Sequence, residues 1–304
     1  MSFDKNSKIV IMGPGSVGML IAAKLTLCGY SPTLYHYDDK KAMNLSGNIK
    51  LIEYDSLKSL PINAAVTADK TVFSSADLVI ICVKSYSTES AAEILSEHLK
   101  TDAKILTLQN GLTARPTLLQ YFRHANLYSA TTSLGSIKKD DFTVLETGNG
   151  ITTIEDKTGA DSIADIFLSS GIGVAMTDNI SSAIWQKAAI NCAINPLGAL
   201  LNKRNGELAA DSELLSLMTA IANEVARVGE KLGVDVPKNG WKNKLSYICS
   251  QTKDNCNSMW QDLNNDKQTE IDALNGAVAA YAKSSDTRAV LNKTMTILIK
   301  SKSR

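Results

Sequence analysis

The segment from Lys8 to Tyr37 constrains the fold of this chain more than any other. Residues 8–12 (KIVIM) form an apolar run of strand length, and Gly13-Pro14-Gly15-Ser16-Val17-Gly18 follows at once. An apolar stretch with helix-forming residues then runs to Leu27, Cys28-Gly29-Tyr30 breaks it, and Thr33 to Tyr37 reads as a second strand. A strand, a glycine-rich turn, a helix and a strand are the opening of a doubly wound parallel sheet. Three glycines at GxGxxG spacing have separate uses in that setting. The first permits a tight turn, the second lets the backbone approach a pyrophosphate, and the third lets the helix pack closely on the strand. The helix N-terminus presents unpaired N–H groups and a partial positive charge to the same anion. The motif alone is weak; after a strand and before a helix it has the context it needs, which places Gly13, Pro14, Gly15, Ser16, Val17 and Gly18 as cofactor-binding. FAD would suit the same loop, but no second flavin-type feature accompanies it.

Further along, Leu78–Val83 (LVIICV) is a fully apolar strand, Glu89–Leu99 a helix with Ala92, Leu95 and Leu99 on one side, and Lys104–Leu108 (KILTL) another strand. Continuous apolar strands alternating with helices indicate a parallel sheet covered on both faces. Ile151–Ile154 and Gly173–Met176 read as late strands around a helix at Asp161–Leu168. Beyond residue 178 strand signals stop. Leu214, Met218, Ile221, Val225, Val228 and Leu232 recur at spacings of four and three, the mark of a helix with one buried stripe. The expectation is therefore α/β: a Rossmann-type doubly wound domain over 1–178, then an all-helical substrate and catalytic domain over 179–304, with the active site in the groove between them. The length of 304 residues suits two domains.

Composition narrows the function. A formal net charge of +1 offers no basic surplus to neutralise phosphates, so nucleic acid is not expected as a partner. No stretch is long and apolar enough to cross a bilayer, and the polar Met1–Ser7 followed by a glycine- and proline-broken run is unlike a secretory leader. A cytoplasmic protein without membrane contact is expected. The five cysteines (Cys28, Cys82, Cys192, Cys249, Cys256) are odd in number and scattered, and neither a CxxC nor a Cys/His cluster occurs. Reduced, mostly buried thiols and no metal site follow. His36, His98 and His124 stand near no evident partners.

Chemistry enters at Ile184–Leu201 (IWQKAAINCAINPLGALL). Lys187, Asn191 and Asn195 recur every four residues and so line one helix face, and the flanks are too apolar for a solvated surface helix. An amine and two amides on such a face call for a polar partner. Glu270, in Thr269-Glu270-Ile271-Asp272, reads from composition alone as a surface acid.

GPGSVG at 13–18, CVKSYST at 82–88, LQNGL at 108–112, WQKAAINCAINPLGALLNKRNGEL at 185–208 and SMWQDLNNDKQTEIDALNG at 258–276 together resemble the ketopantoate reductase family along nearly the whole chain. The resemblance implies an NADPH-dependent reductase of a small 2-keto acid, 2-dehydropantoate first among them, as a step toward pantothenate and coenzyme A. It implies Lys187 as general acid and Glu270 as the residue that positions substrate and holds the lysine. It implies Asn191, Asn195, Asn205 and Ser258 as substrate-binding, and Lys84, Asn110 and Gly135 as cofactor-binding beside the glycine turn. The chain departs from the family pattern at Tyr37, where an arginine is usual, and at Ser87, where a glutamine is usual. Both positions serve the 2′-phosphate of NADP in the family, so NADH stays open; Lys84, Lys40 or Lys41 could compensate. Ser284-Ser285-Asp286 replaces a late glycine-and-proline turn. Two other readings stand beside this one: a reductase of another branched 2-keto acid, and a nucleotide-binding protein that kept the fold without the chemistry. A monomer or a homodimer fits either.

Overall fold

The computed structural model describes residues 3–302 and divides by internal packing into two units, residues 1–109 with 114–180 and residues 110–113 with 181–304. In the first unit the chain runs β1 (Ile9–Met12), α1 (Ser16–Leu27), β2 (Thr33–Tyr35), α2 (Asp39–Leu45), β3 (Ile49–Ile52), β4 (Ser59–Ile62), β5 (Ala65–Thr67), β6 (Leu78–Ile81), α3 (Thr88–His98), β7 (Lys104–Thr107), α4 (Ala114–Leu118), β8 (Leu127–Thr132), β9 (Gly135–Lys138), β10 (Thr143–Gly148), β11 (Ile151–Glu155), α5 (Asp161–Ser169) and β12 (Gly173–Thr177).

Eight strands form the main sheet in the order β12-β11-β8-β7-β6-β1-β2-β5. From β5 to β8 every pairing is parallel; β11 joins β8 antiparallel and carries β12 parallel to itself. The apolar strands are continuous because both faces are covered. Ile9, Ile11, Leu78 and Ile80 point into the core shared with α1, whereas Val10, Met12, Val79 and Ile81 point into the core shared with α3. The chain leaves β1 for β2 on one side and reaches β6 on the other, so β1 and β6 flank a topological switch point.

A second sheet, order β4-β3-β10-β9, was not foreseen from the sequence. It lies against α1, which therefore has sheet on two sides and buries Met19, Leu20, Ile21, Ala22, Ala23 and Leu25 around its circumference. Lys24 of α1 reaches Glu146 of β10 at 2.6 Å, pairing two nearly buried charges where the helix meets this sheet.

The second unit is helical: α6 (Ile180–Leu201), α7 (Asn205–Ala210), α8 (Ser212–Lys231), α9 (Trp241–Gln251), α10 (Ser258–Asn264), a π turn (Asp272–Gly276), α11 (Ala277–Ser284) and α12 (Val290–Lys302). Met218, Ile221, Val225 and Val228 form the buried stripe of α8. Its ends differ from the spacing rule: Leu215 is buried in place of Leu214, and Leu232, past the helix end, is 41% exposed. Ser284-Ser285-Asp286 closes α11 without a glycine. Asp286 takes a left-handed conformation (φ 50°), and the Thr287 N–H returns to the Ala282 carbonyl at 2.9 Å. Among the described residues no helix is long and apolar enough to cross a membrane.

Candidate active site

One group of candidate residues lies in the first unit, at the C-terminal ends of β1 and β6. Gly13 has φ +109°, and a Cβ there would stand 2.8 Å from both the Val83 backbone nitrogen and its Cγ1. Only glycine admits this conformation and this approach. Its N–H donates to the Tyr35 carbonyl at 3.2 Å, tying the turn to β2. Gly15 N-caps α1 with no side-chain cap, and a Cβ on it would meet nothing within 4 Å. Pro14 is partly buried between these glycines, and Ser16 and Val17 open the helix. A Cβ on Gly18 would fall 2.2 Å from the Gly13 carbonyl oxygen, so helix and turn are in direct contact there. Open space at the second glycine, beside first-turn N–H groups with no side-chain cap, fits a pyrophosphate.

Lys84 follows the Val83 segment against which Gly13 rests, partly buried at the entry to a 3-10 turn over Ser85–Ser87. Gln109 braces that segment. Its Nε2 donates to the Val83 carbonyl at 3.0 Å and to Thr88 Oγ1 at 2.8 Å. Sequence reasoning assigned Gln109 no role, and its place two residues past β7, inside LQNGL, is the signal that could have found it. At the end of β2, Asp38 accepts the Lys41 N–H at 3.0 Å and caps α2, so its carboxylate is engaged locally. His36 stacks on the exposed Tyr37 ring at 4.9 Å and accepts the Asp38 N–H at 2.9 Å; burial and then Lys41 hold its imidazolium below the usual range. Burial pushes the nearby Cys82 thiol up to about 12, which leaves it without nucleophilic character near neutral pH. Gly135 lies in β9, where a Cβ would come 2.6 Å from Thr147 Oγ1. Close strand pairing accounts for a glycine there.

A second group of candidate residues lies within the helical unit. Lys187, Asn191 and Asn195 project from α6 at one-turn spacing. Lys187 and Asn191 are partly buried and Asn195 is buried. The two amides hold no side-chain hydrogen bond with the described residues, so their donors and acceptors are available to a ligand. Burial lowers Lys187 to about 8, and the Glu270 carboxylate opposes the fall. Glu270 is 7% exposed, unlike the surface acid that composition suggests. It stands just before the π turn, where its carbonyl accepts the Ala273 and Leu274 N–H groups at 3.1 and 3.2 Å.

The chain segment 110–113 packs with these helices. The Leu112 N–H donates to the Ala273 carbonyl at 2.8 Å, Gly111 (φ +90°) sits where a Cβ would be 2.5 Å from that same oxygen, and Tyr281 Oη donates to the Leu112 carbonyl at 3.3 Å. This docking brings Asn110 Nδ2 to 3.4 Å from Glu270 Oε2. Lys187, Glu270 and Asn110 are therefore linked.

Asn205 and Ser258 are carried by other elements of the unit, α7 and α10. Asn205 begins α7, 5% exposed, with Nδ2 bonded to Thr252 Oγ1 at 2.9 Å and its backbone N–H to the Asn255 carbonyl, so its donor is committed within the fold. Ser258 is the exposed first residue of α10, which Asn257 caps through the Trp260 N–H at 3.0 Å. Among the described residues no group of His, Cys, Asp and Glu could hold a metal ion, and all five cysteines are free thiols.

Residues 9–159 match the family model described as Ketopantoate reductase PanE/ApbA, and residues 179–303 match its C-terminal partner. The chain is 31% identical over 303 residues to the 2-dehydropantoate 2-reductase of Pyrococcus abyssi, covering 97% of each chain. Among solved structures, a PanE/ApbA family ketopantoate reductase from Ralstonia eutropha superposes with a TM-score of 0.87 at 26% identity, over 97% of this chain and 98% of that one. A D-mandelate dehydrogenase bound to NADH and anilino(oxo)acetate gives a TM-score of 0.88 at 22% identity, with the same coverage, a likeness of fold alone. By family models and relatives that span both units, the chain belongs to the ketopantoate reductase family.

Proposed function

We propose that this protein is an oxidoreductase that reduces 2-dehydropantoate to (R)-pantoate with NADPH. The observation that carries the reading is the desolvated Lys187 ammonium opposed by Glu270, on the same helix face as two amides with no side-chain hydrogen bond among the described residues. The dihydronicotinamide, when bound, supplies the hydride to the ketone carbon. Lys187 Nζ donates the proton to the ketone oxygen as negative charge develops there, so one hydride and one proton complete the alcohol. A value near 8 keeps Lys187 mostly charged at neutral pH while easing proton release, which is what a general acid needs. Glu270 keeps the ammonium from losing its proton entirely to desolvation, and it is itself held by Asn110. Asn191 and Asn195 offer donors and acceptors for the substrate's carboxylate and hydroxyl.

For the cofactor, the cap role of Asp38 weakens the case for an acid on the ribose 2′-OH, and Lys40 and Lys41 lie exposed in the first turn of α2. This supports NADPH in spite of Tyr37 and Ser87. The test is kcat/KM with 2-dehydropantoate and with the same keto acid lacking its terminal hydroxyl, using NADPH and NADH in turn. A site built around that hydroxyl should favour the natural acid by at least about a hundredfold. Equal values would assign the protein to another branched 2-keto acid, and an NADH preference would overturn the cofactor assignment.

A further inference from the structure

α6 contains a proline in its interior, Pro196. Proline has no N–H, so the carbonyl four residues earlier, that of Cys192, loses its helical donor. A buried carbonyl without a donor is costly, and here a side chain from elsewhere supplies one. Asn275 Nδ2 donates to the Cys192 carbonyl at 3.1 Å. Asn275 is fully buried and lies in the π turn that begins two residues after Glu270. The same Nδ2 donates to Asn292 Oδ1 at 3.0 Å, where α12 begins. Asn292 is held in turn by Glu224 of α8, which accepts the Leu291 N–H at 3.1 Å and the Asn292 N–H and Nδ2 at 3.0 Å each. A polar chain therefore runs from α8 through α12 and the π turn to α6, with Asn275 Oδ1 itself left without a partner among the described residues.

We propose that Asn275 is a positioning residue for the reaction: by filling the donor place that Pro196 vacates, it registers the helix carrying Lys187 against the segment that leads from Glu270 into the π turn. The inference rests on the assignment of Lys187 and Glu270 as the working pair. Its geometry explains two features that packing alone leaves arbitrary. One is a proline in the interior of a buried helix, one turn after Asn191 and Cys192. The other is a π turn, a rare departure from helical hydrogen bonding that recurs at functional sites, here closed by the Gly276 N–H to the Ile271 carbonyl at 2.9 Å. The wider turn brings Asn275 onto α6 while its Ala273 carbonyl receives Leu112.

Three variants separate positioning from simple support of the fold: Asn275→Leu, Asn275→Ser and Asn275→Leu with Pro196→Ala. Alanine at 196 restores an N–H to α6, so the double variant satisfies the Cys192 carbonyl without linking the two elements. The expected result is a fall in kcat of at least tenfold in all three, with KM for the keto acid and Kd for NADPH within about threefold of wild type, and partial recovery of Tm in the double variant. If the double variant recovered kcat together with Tm, or if Asn275→Ser kept wild-type kcat, Asn275 would only be satisfying a carbonyl and the proposal would fail. Lys187→Ala, assayed alongside, isolates the premise: wild-type activity there would overturn the choice of acid, whereas its loss beside a normal Asn275→Ser would overturn positioning alone.

Discussion

Replacing Glu270 by glutamine should move the alkaline limb of the pH–rate profile toward neutral pH. In the proposed mechanism Lys187 enters the cycle protonated, so kcat should be full below its pKa and fall as pH rises through about 8 in the wild type. That value is a balance in which burial lowers it and the Glu270 carboxylate raises it. Glutamine keeps the shape and an oxygen for Asn110 but removes the charge, leaving desolvation unopposed. An opposite charge at close range is worth roughly 1 to 3 pKa units, and water reaching the partly accessible lysine argues for the lower end. A drop of about one unit places the limb near pH 7. At pH 7.5 the protonated fraction would then fall from about three-quarters to about one-quarter, a roughly threefold loss that acidification to pH 6 restores. The assay is kcat against pH from 6 to 10 for both proteins at saturating substrate. A limb fixed at about 8, or one displaced upward, would show that Glu270 does not govern the lysine's charge.

Two further substitutions probe the first unit. Gly18→Ala drives a methyl against the Gly13 carbonyl at 2.2 Å and should weaken NADPH binding at least tenfold, read by nucleotide fluorescence titration; an unchanged Kd would remove the glycine turn from the cofactor site. Arg115→Leu removes the fork that Nη1 and Nη2 make on buried Glu155, at 2.9 Å each. It should cost about 3 kcal/mol at neutral pH. Burial alone would raise the Glu155 carboxyl, and Arg115 with Lys157 overturns this to hold it below the usual range, so the wild type loses this stability as pH falls through the lowered value. The Tm gap between the two proteins should therefore be wide at pH 7 and narrow at pH 3; a constant gap would contradict the ion-pair account.

The parts of the fold that were legible in the sequence are those whose burial imprints a local pattern. β1, β6 and β7 read as strands because both faces are covered, and α8 because one face is. The second sheet left no such imprint. β4 (SLPI) and β9 (GSIK) are short and mixed in polarity, and the sheet is joined only by the β3–β10 ladder between distant residues, where Lys50 pairs with Thr143. At the site, the face shared by Lys187, Asn191 and Asn195 follows from helical spacing alone. Glu270 did not announce itself, because its burial comes from the π turn, and its link to Asn110 from segment 110–113 docking on that turn; neither is a local property. The same limit applies to Asn205, whose donor is committed to Thr252 at the C-terminal cap of α9, far along the chain.

The most direct measurement is the turnover of Lys187→Ala with NADPH and 2-dehydropantoate. Loss of a general acid should lower kcat by at least two orders of magnitude, while NADPH binding, which the account assigns to the glycine turn, should stay close to wild type. A variant that turns over at the wild-type rate would place the proton donor elsewhere and contradict the account.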